Sequence, residues 1–165
     1  MALSVSLLKT ISPSRRLGLN TTPLYSGPLG ASQSFKKGAP LIYTSGYLVV
    51  AASAPIDTDD NIVGFAAEDA TSGSAGVYTM HYVPAIPGVI FEGTLEDATN
   101  FDHALVATNL GLSYVIDTDT SSKAWFLDEN TTTKGIAKII ELVDPIGTVR
   151  GKVRFVVAVS GTIWE

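Results

Sequence analysis

The chain has 165 residues, enough for one domain, and a domain of that size buries roughly 70% of its unfolded surface. Only 16% of its residues are charged, against about 25% in an average soluble domain, while 45% are hydrophobic and none is Cys, which excludes disulfides, thiolate metal sites and a cysteine nucleophile. The net charge of −5 opposes nucleic-acid binding, where phosphate contacts dominate affinity, and no apolar run approaches the roughly 18 residues of a membrane helix.

Residues 1–34 read as an extended N-terminal arm and residues 35–165 as a β domain. The start lacks a basic n-region, so no signal peptide is expected. Pro13, Pro23 and Pro28, with Gly18, Gly27 and Gly30, punctuate the arm too often for a long helix or a central strand. The arm is also too apolar for a solvated linker. Its side chains gain order only by lying on a surface, either a neighbouring subunit or partner, or the chain's own domain. The candidate partner-binding residues are Leu7, Leu8, Lys9, Arg15, Arg16, Leu17, Leu19 and Tyr25.

Charge is sorted along the chain. From Met1 to Ile56 there are five bases and no acid, and from Asp57 to Ser122 there are 11 carboxylates and no Lys or Arg. The head of one copy is therefore complementary to the middle of another. An exposed ion pair contributes about 0–1 kcal/mol, and a buried Leu or Val about 1.5–3 kcal/mol. Charge would therefore orient the arm, and Leu, Ile and Tyr would hold it.

From Phe35 onward the pattern is short strands. They are expected over Pro40–Thr44, Tyr47–Ala52, Ile62–Ala66, Gly76–Val83 and Val89–Thr94. Val77, Thr79, His81 and Val83 alternate with Tyr78, Met80 and Tyr82, as in a half-buried strand. One short helix is expected over Phe101–Thr108, capped by Thr99 or Asn100 and stopped by Gly111. Strands resume at Ser113–Asp117, Lys123–Asp128, Ile136–Val143 and Lys152–Val159, the last two joined through Asp144-Pro-Ile-Gly147. The final strand places Val153, Phe155, Val157 and Val159 on one face and Lys152 and Arg154 on the other. The whole is an all-β fold, a small β-sandwich or β-barrel with one short helix and the N-terminal arm.

Candidate chemistry is thin. Asp57-Thr-Asp59-Asp60-Asn61 lacks the Gly and distal Glu of a calcium loop and reads as an acidic turn, as does Asp117-Thr-Asp119. No metal or cofactor is expected. His81 and His103 have no nucleophile-elbow motif to accompany them. Glu68-Asp69 and Glu96-Asp97 are adjacent pairs, which in a strand point to opposite faces. No catalytic residues are assigned and the protein is read as a non-enzyme. Lys36-Lys37 reads as a polar strand edge that discourages pairing. Tyr43, Tyr47, Trp125 and Trp164 are possible ligand-facing aromatics, but isolated aromatics in strands more often serve a core or interface.

The stretch Phe35-Lys-Lys-Gly38-Ala-Pro-Leu-Ile-Tyr43, followed by Gly46-Tyr-Leu-Val-Val-Ala-Ala-Ser53 and Ile62-Val-Gly-Phe-Ala-Ala67, resembles tailed-bacteriophage head decoration (cement) proteins. Leu-Gly-Leu-Ser-Tyr114, and Asp144-Pro-Ile-Gly147 before Gly151-Lys-Val-Arg-Phe155, extend the likeness in style. The resemblance implies a virion structural protein, often a trimer, made in the host cytoplasm and placed on the capsid exterior. Its partners would be the major capsid protein and itself, as a homotrimer, with the arm clasping neighbouring subunits. The alternative is a non-enzymatic β-sandwich module that binds carbohydrate or a receptor on a virion tail or cell surface.

Overall fold

A computed structural model describes residues 11–16, 22–51, 61–96, 101–116, 123–130, 132 and 135–158. Its strands are β1 (Ser12–Arg16), β2 (Tyr25–Pro28), β3 (Ser34–Phe35), β4 (Pro40–Thr44), β5 (Tyr47–Val50), β6 (Gly64–Ala66) and β7 (Ala70–Thr71). They continue with β8 (Thr79–Pro84), β9 (Val89–Thr94), β10 (Asn109–Ile116), β11 (Lys123–Asp128), β12 (Ala137–Leu142) and β13 (Lys152–Val157). Six strands form one sheet in the order β1-β9-β13-β12-β10-β11, five form a second in the order β2-β8-β6-β4-β5, and β3 pairs with β7. Every ladder between strands is antiparallel.

Both sheets curl. Leu29, just past β2, bridges Leu48 of β5, so the outer strands of the five-stranded sheet meet and the sheet curls into a half-barrel. Leu95, just past β9, bridges Leu127 of β11, so the six-stranded sheet curls between its second strand and its far edge. The β4–β5 hairpin shows how local sequence directs this. Ser45 (φ 51°) and Gly46 (φ 84°) both adopt left-handed backbone, the two-residue turn whose twist matches that of paired strands.

Registers assign the faces. Leu41, Gly64, Ala66, Tyr82 and Met80 lie on the buried concave side of the five-stranded half-barrel. Phe65 lies on its other side, with its ring centroid 4.6 Å from that of Phe91 and 6.0 Å from that of Phe155. Phe91 and Phe155 stack at 5.7 Å on the facing sheet, so three phenylalanines join the two layers. Val153 and Phe155 are fully buried, as the alternation in that strand predicts. Val159 lies outside the described residues.

Two expectations change. The expected helix over 101–108 is a single 3-10 turn, His103–Leu105, capped by Asp102, whose side chain accepts from the Ala104 N–H. Gly111 is not its stop but part of β10, because ladder pairing takes over from Asn109. The second change concerns the arm. β1 pairs with β9 and β2 with β8, so these stretches of residues 1–34 are sheet strands of the chain's own fold. Ile11 and Leu29 belong to the hydrophobic core. Their apolar side chains find shelter on the chain itself, one of the two alternatives the composition left open.

Candidate functional site

Of the candidate arm residues, Leu7, Leu8, Lys9, Leu17 and Leu19 lie outside the described residues. Arg15 and Arg16 form the end of edge strand β1, opposite Ile90 and Val89. Pro13 and a register shift before Arg15 interrupt the outer side of that strand, features that blunt an edge against further pairing. Tyr25 opens β2 and is 41% exposed.

Tyr25 begins a line of tyrosines. Its ring meets that of Tyr82 edge-on at 6.1 Å. Burial pushes the Tyr82 phenol well above its ordinary range, and a hydrogen bond with the Tyr43 side chain pushes it further. Tyr43 can lie across β2 because residue 27 is Gly: a Cβ there would sit 2.7 Å from the Tyr43 hydroxyl. Beyond the hairpin tip, the Tyr47 ring lies against Gly76, 3.3 Å from where its Cβ would stand. Val77 and Tyr78 follow, 65% and 54% exposed, and Leu24 flanks Tyr25 at 58%. These contacts fall in two groups on the five-stranded sheet, Tyr25, Tyr82 and Tyr43 around Gly27 of β2, and Tyr47 against Gly76 next to Val77 and Tyr78. Grouped large exposed side chains mark an interaction surface more often than scattered ones do. Tyr25, Tyr43 and Tyr47 of the sequence candidates belong to this tyrosine rim. Tyr78 joins it only through the curl of the sheet.

Next to Tyr78 is an open groove of about 200 Å³, lined by Leu29, Met80 and Thr79 on one side and Glu68 to Thr71 on the other. At its edge the His81 Nδ1 stands 2.9 Å from Glu68 Oε1, and the His81 N–H donates to the same oxygen. These two bonds hold the Glu68 carboxyl below its ordinary range. The neighbouring Asp69 carboxyl is lowered by the Lys37 N–H and then by the Lys36 ammonium. Lys36 thus acts not as a bare edge charge but as one half of a pair with Asp69 at 2.9 Å. His103 lies in the exposed 3-10 turn, away from this pair. Among the described residues no three His, Asp or Glu converge as metal ligands would. The acidic stretches 57–60 and 117–119 lie outside them.

Trp125 takes the core role that isolated strand aromatics more often serve: it is 3% exposed, and its indole N–H has no hydrogen-bond partner. Tyr114 packs against it at 4.9 Å, and the Lys123 ammonium sits 4.1 Å above the Tyr114 ring. Trp164 lies outside the described residues. On the outer face of the six-stranded sheet, Glu92 accepts from Ser14 and Arg154, and Arg154 also donates to Glu141 at 2.8 Å. This network ties β1, β9, β13 and β12 together. Sequence reasoning missed it because its bonded partners are up to 78 residues apart and meet only through strand order.

No protein-family model, curated protein or solved structure matches the chain. Among the described residues, no helix is long and apolar enough to cross a membrane.

Proposed function

We propose that the protein is a non-enzymatic structural component of a virion, seated on the outside of a phage capsid, where it bridges adjacent capsomers as a homotrimer. The observation that carries this reading is the tyrosine rim. Tyr25, Tyr43, Tyr47 and Tyr78 are each between 36% and 54% exposed in a chain with little surface charge. Covering what they still expose removes roughly 400 Å² from water, at most about 10 kcal/mol before costs because the hydroxyls are included. Association costs roughly 4–15 kcal/mol. One rim alone is therefore marginal, and three rims held in a trimer would retain each other by effective concentration. Such a design suits a protein that must find many equivalent places on a shell and leave none once bound.

The test is co-sedimentation with purified capsids. The full chain should pellet with them and raise the temperature at which they open, and Tyr47→Ser with Tyr78→Ser should abolish both effects. Equal retention of that variant would overturn the rim as the docking surface.

A second reading rests on the same residues. Tyrosine rings on a rim present apolar faces and hydroxyls together, the chemistry that stacks on sugar rings. Binding of soluble glycans by the isolated protein, lost in Tyr47→Ser, would favour a carbohydrate-binding module over a capsid protein.

A further inference from the structure

The groove beside Tyr78 runs between the open edges of two strands, β8 and β7. His81 turns both its backbone groups towards β6: its carbonyl accepts from the Ala67 N–H, and its own N–H is taken by Glu68. Backbone direction repeats every second residue along a strand, so Thr79 turns its N–H and C=O the same way. The β6 ladder, however, ends at the Ala66–Tyr82 pair. Across the groove, the Ser72 N–H donates to Gln33, so the even-numbered residues of β7 face β3. Thr71 therefore faces the other way. Thr71 and Thr79 line the groove from opposite sides, each offering a donor and an acceptor that no described residue takes up. The floor is apolar, with Leu29 and Met80 both buried. The rim carries Glu68 and Asp69.

We infer that this groove takes an extended segment as an added strand, and that the segment is residues 3–7 of a second copy of the chain. Leu3-Ser4-Val5-Ser6-Leu7 alternates apolar and polar at the strand period. Its Leu and Val side chains match the Leu29/Met80 floor, and its backbone would complete the open edges of Thr71 and Thr79. No acid lies in the chain before Asp57, and Lys9 follows the segment, so it brings no carboxylate against Glu68, which His81 holds, or Asp69, which Lys36 pairs. A second copy is the donor because only four residue steps, at most about 14 Å, separate Leu7 from Ile11. Ile11 is anchored in the six-stranded layer beside Gly93, whereas the groove opens in the wall of the five-stranded half-barrel. This inference deepens the homotrimer reading, since a donated strand links each copy to the next.

The chain contains no Cys, so single cysteines report proximity without background. Purified full-length Ser6→Cys protein is mixed with Thr71→Cys protein under mild oxidation. The mixed disulfide dimer should form about tenfold faster than with Lys138→Cys, an exposed site on the six-stranded sheet. Val5→Asp in the donor should remove the excess without touching a described element. Thr79→Pro in the acceptor should do the same, since it deletes the groove-facing N–H and spares the β2 ladder. Equal rates at Thr71 and Lys138 would overturn the inference. So would a Ser6→Cys/Thr71→Cys double variant that closes within one chain even when diluted. The assay contains no capsid, so its failure would leave capsid retention standing, and failed co-sedimentation would leave strand exchange standing.

Discussion

The contact between the two layers depends on Phe65, and its removal gives the sharpest test of the architecture. Phe65→Ala deletes a buried ring that meets Phe91 at 4.6 Å and Phe155 at 6.0 Å. Emptying such a position costs about 3–5 kcal/mol in lost transfer energy and cavity. Each aromatic pair contributes roughly 0.5–1.5 kcal/mol beyond buried area, which places the loss at the upper end. Against a total stability of about 5–15 kcal/mol, that is a large fraction. Urea titration should show the midpoint falling with an unchanged slope, and heating should show a melting temperature lower by roughly 6–20 °C. Because Phe65 and Phe155 lie on different sheets, a double-mutant cycle with Phe155→Ala should give a coupling of at least about 0.5 kcal/mol. A loss below about 1 kcal/mol together with zero coupling would refute the claim that these rings hold the layers together.

Three further outcomes follow from local geometry. Gly64→Ala should cost about 3 kcal/mol or more, since its Cβ would collide with the Val83 carbonyl oxygen, whereas Gly73→Ala, with nothing within 4 Å, should leave the urea midpoint nearly unchanged. Thr94→Val should raise stability by about 1 kcal/mol in a thermal melt, because the Thr94 hydroxyl is buried without a partner and Val fills the same shape. Burial alone would raise the Glu92 carboxyl, but Arg154, Ser14 and Lys152 outweigh it and hold it below its ordinary range. A lowered carboxyl stabilises the fold above its unfolded value of about 4.3 and loses that contribution as pH falls through its folded value. Glu92→Gln should therefore flatten the acid limb of stability measured by denaturant titration at successive pH values, and an unaltered limb would show that the Glu92 pairs contribute nothing.

Most of the strands were legible because alternation leaves a mark in the chain itself. Pro40–Thr44, Val89–Thr94 and Lys123–Asp128 lie where that pattern puts them. The expected helix was the weak point: capping residues around 100–111 describe a turn as well as a helix, and pairing of β10 with β12 decided between them. The rim was legible in part. Tyr43 and Tyr47 stood out as aromatics and Tyr25 as an apolar residue of the opening stretch, but Tyr78 has no local signal that sets it apart from a core tyrosine such as Tyr82.

Composition and period alone determine that this chain is a β protein with a sparingly charged surface, because the two-residue repeat of a strand is a property of the backbone. What becomes of the residues before Phe35 is not written in that repeat. Ile11 and Leu29 reach the core only because β9 and β8 present open edges to them. Where an apolar segment settles depends on which edges the rest of the fold leaves unpaired, and that is known only once every other strand has found its neighbour.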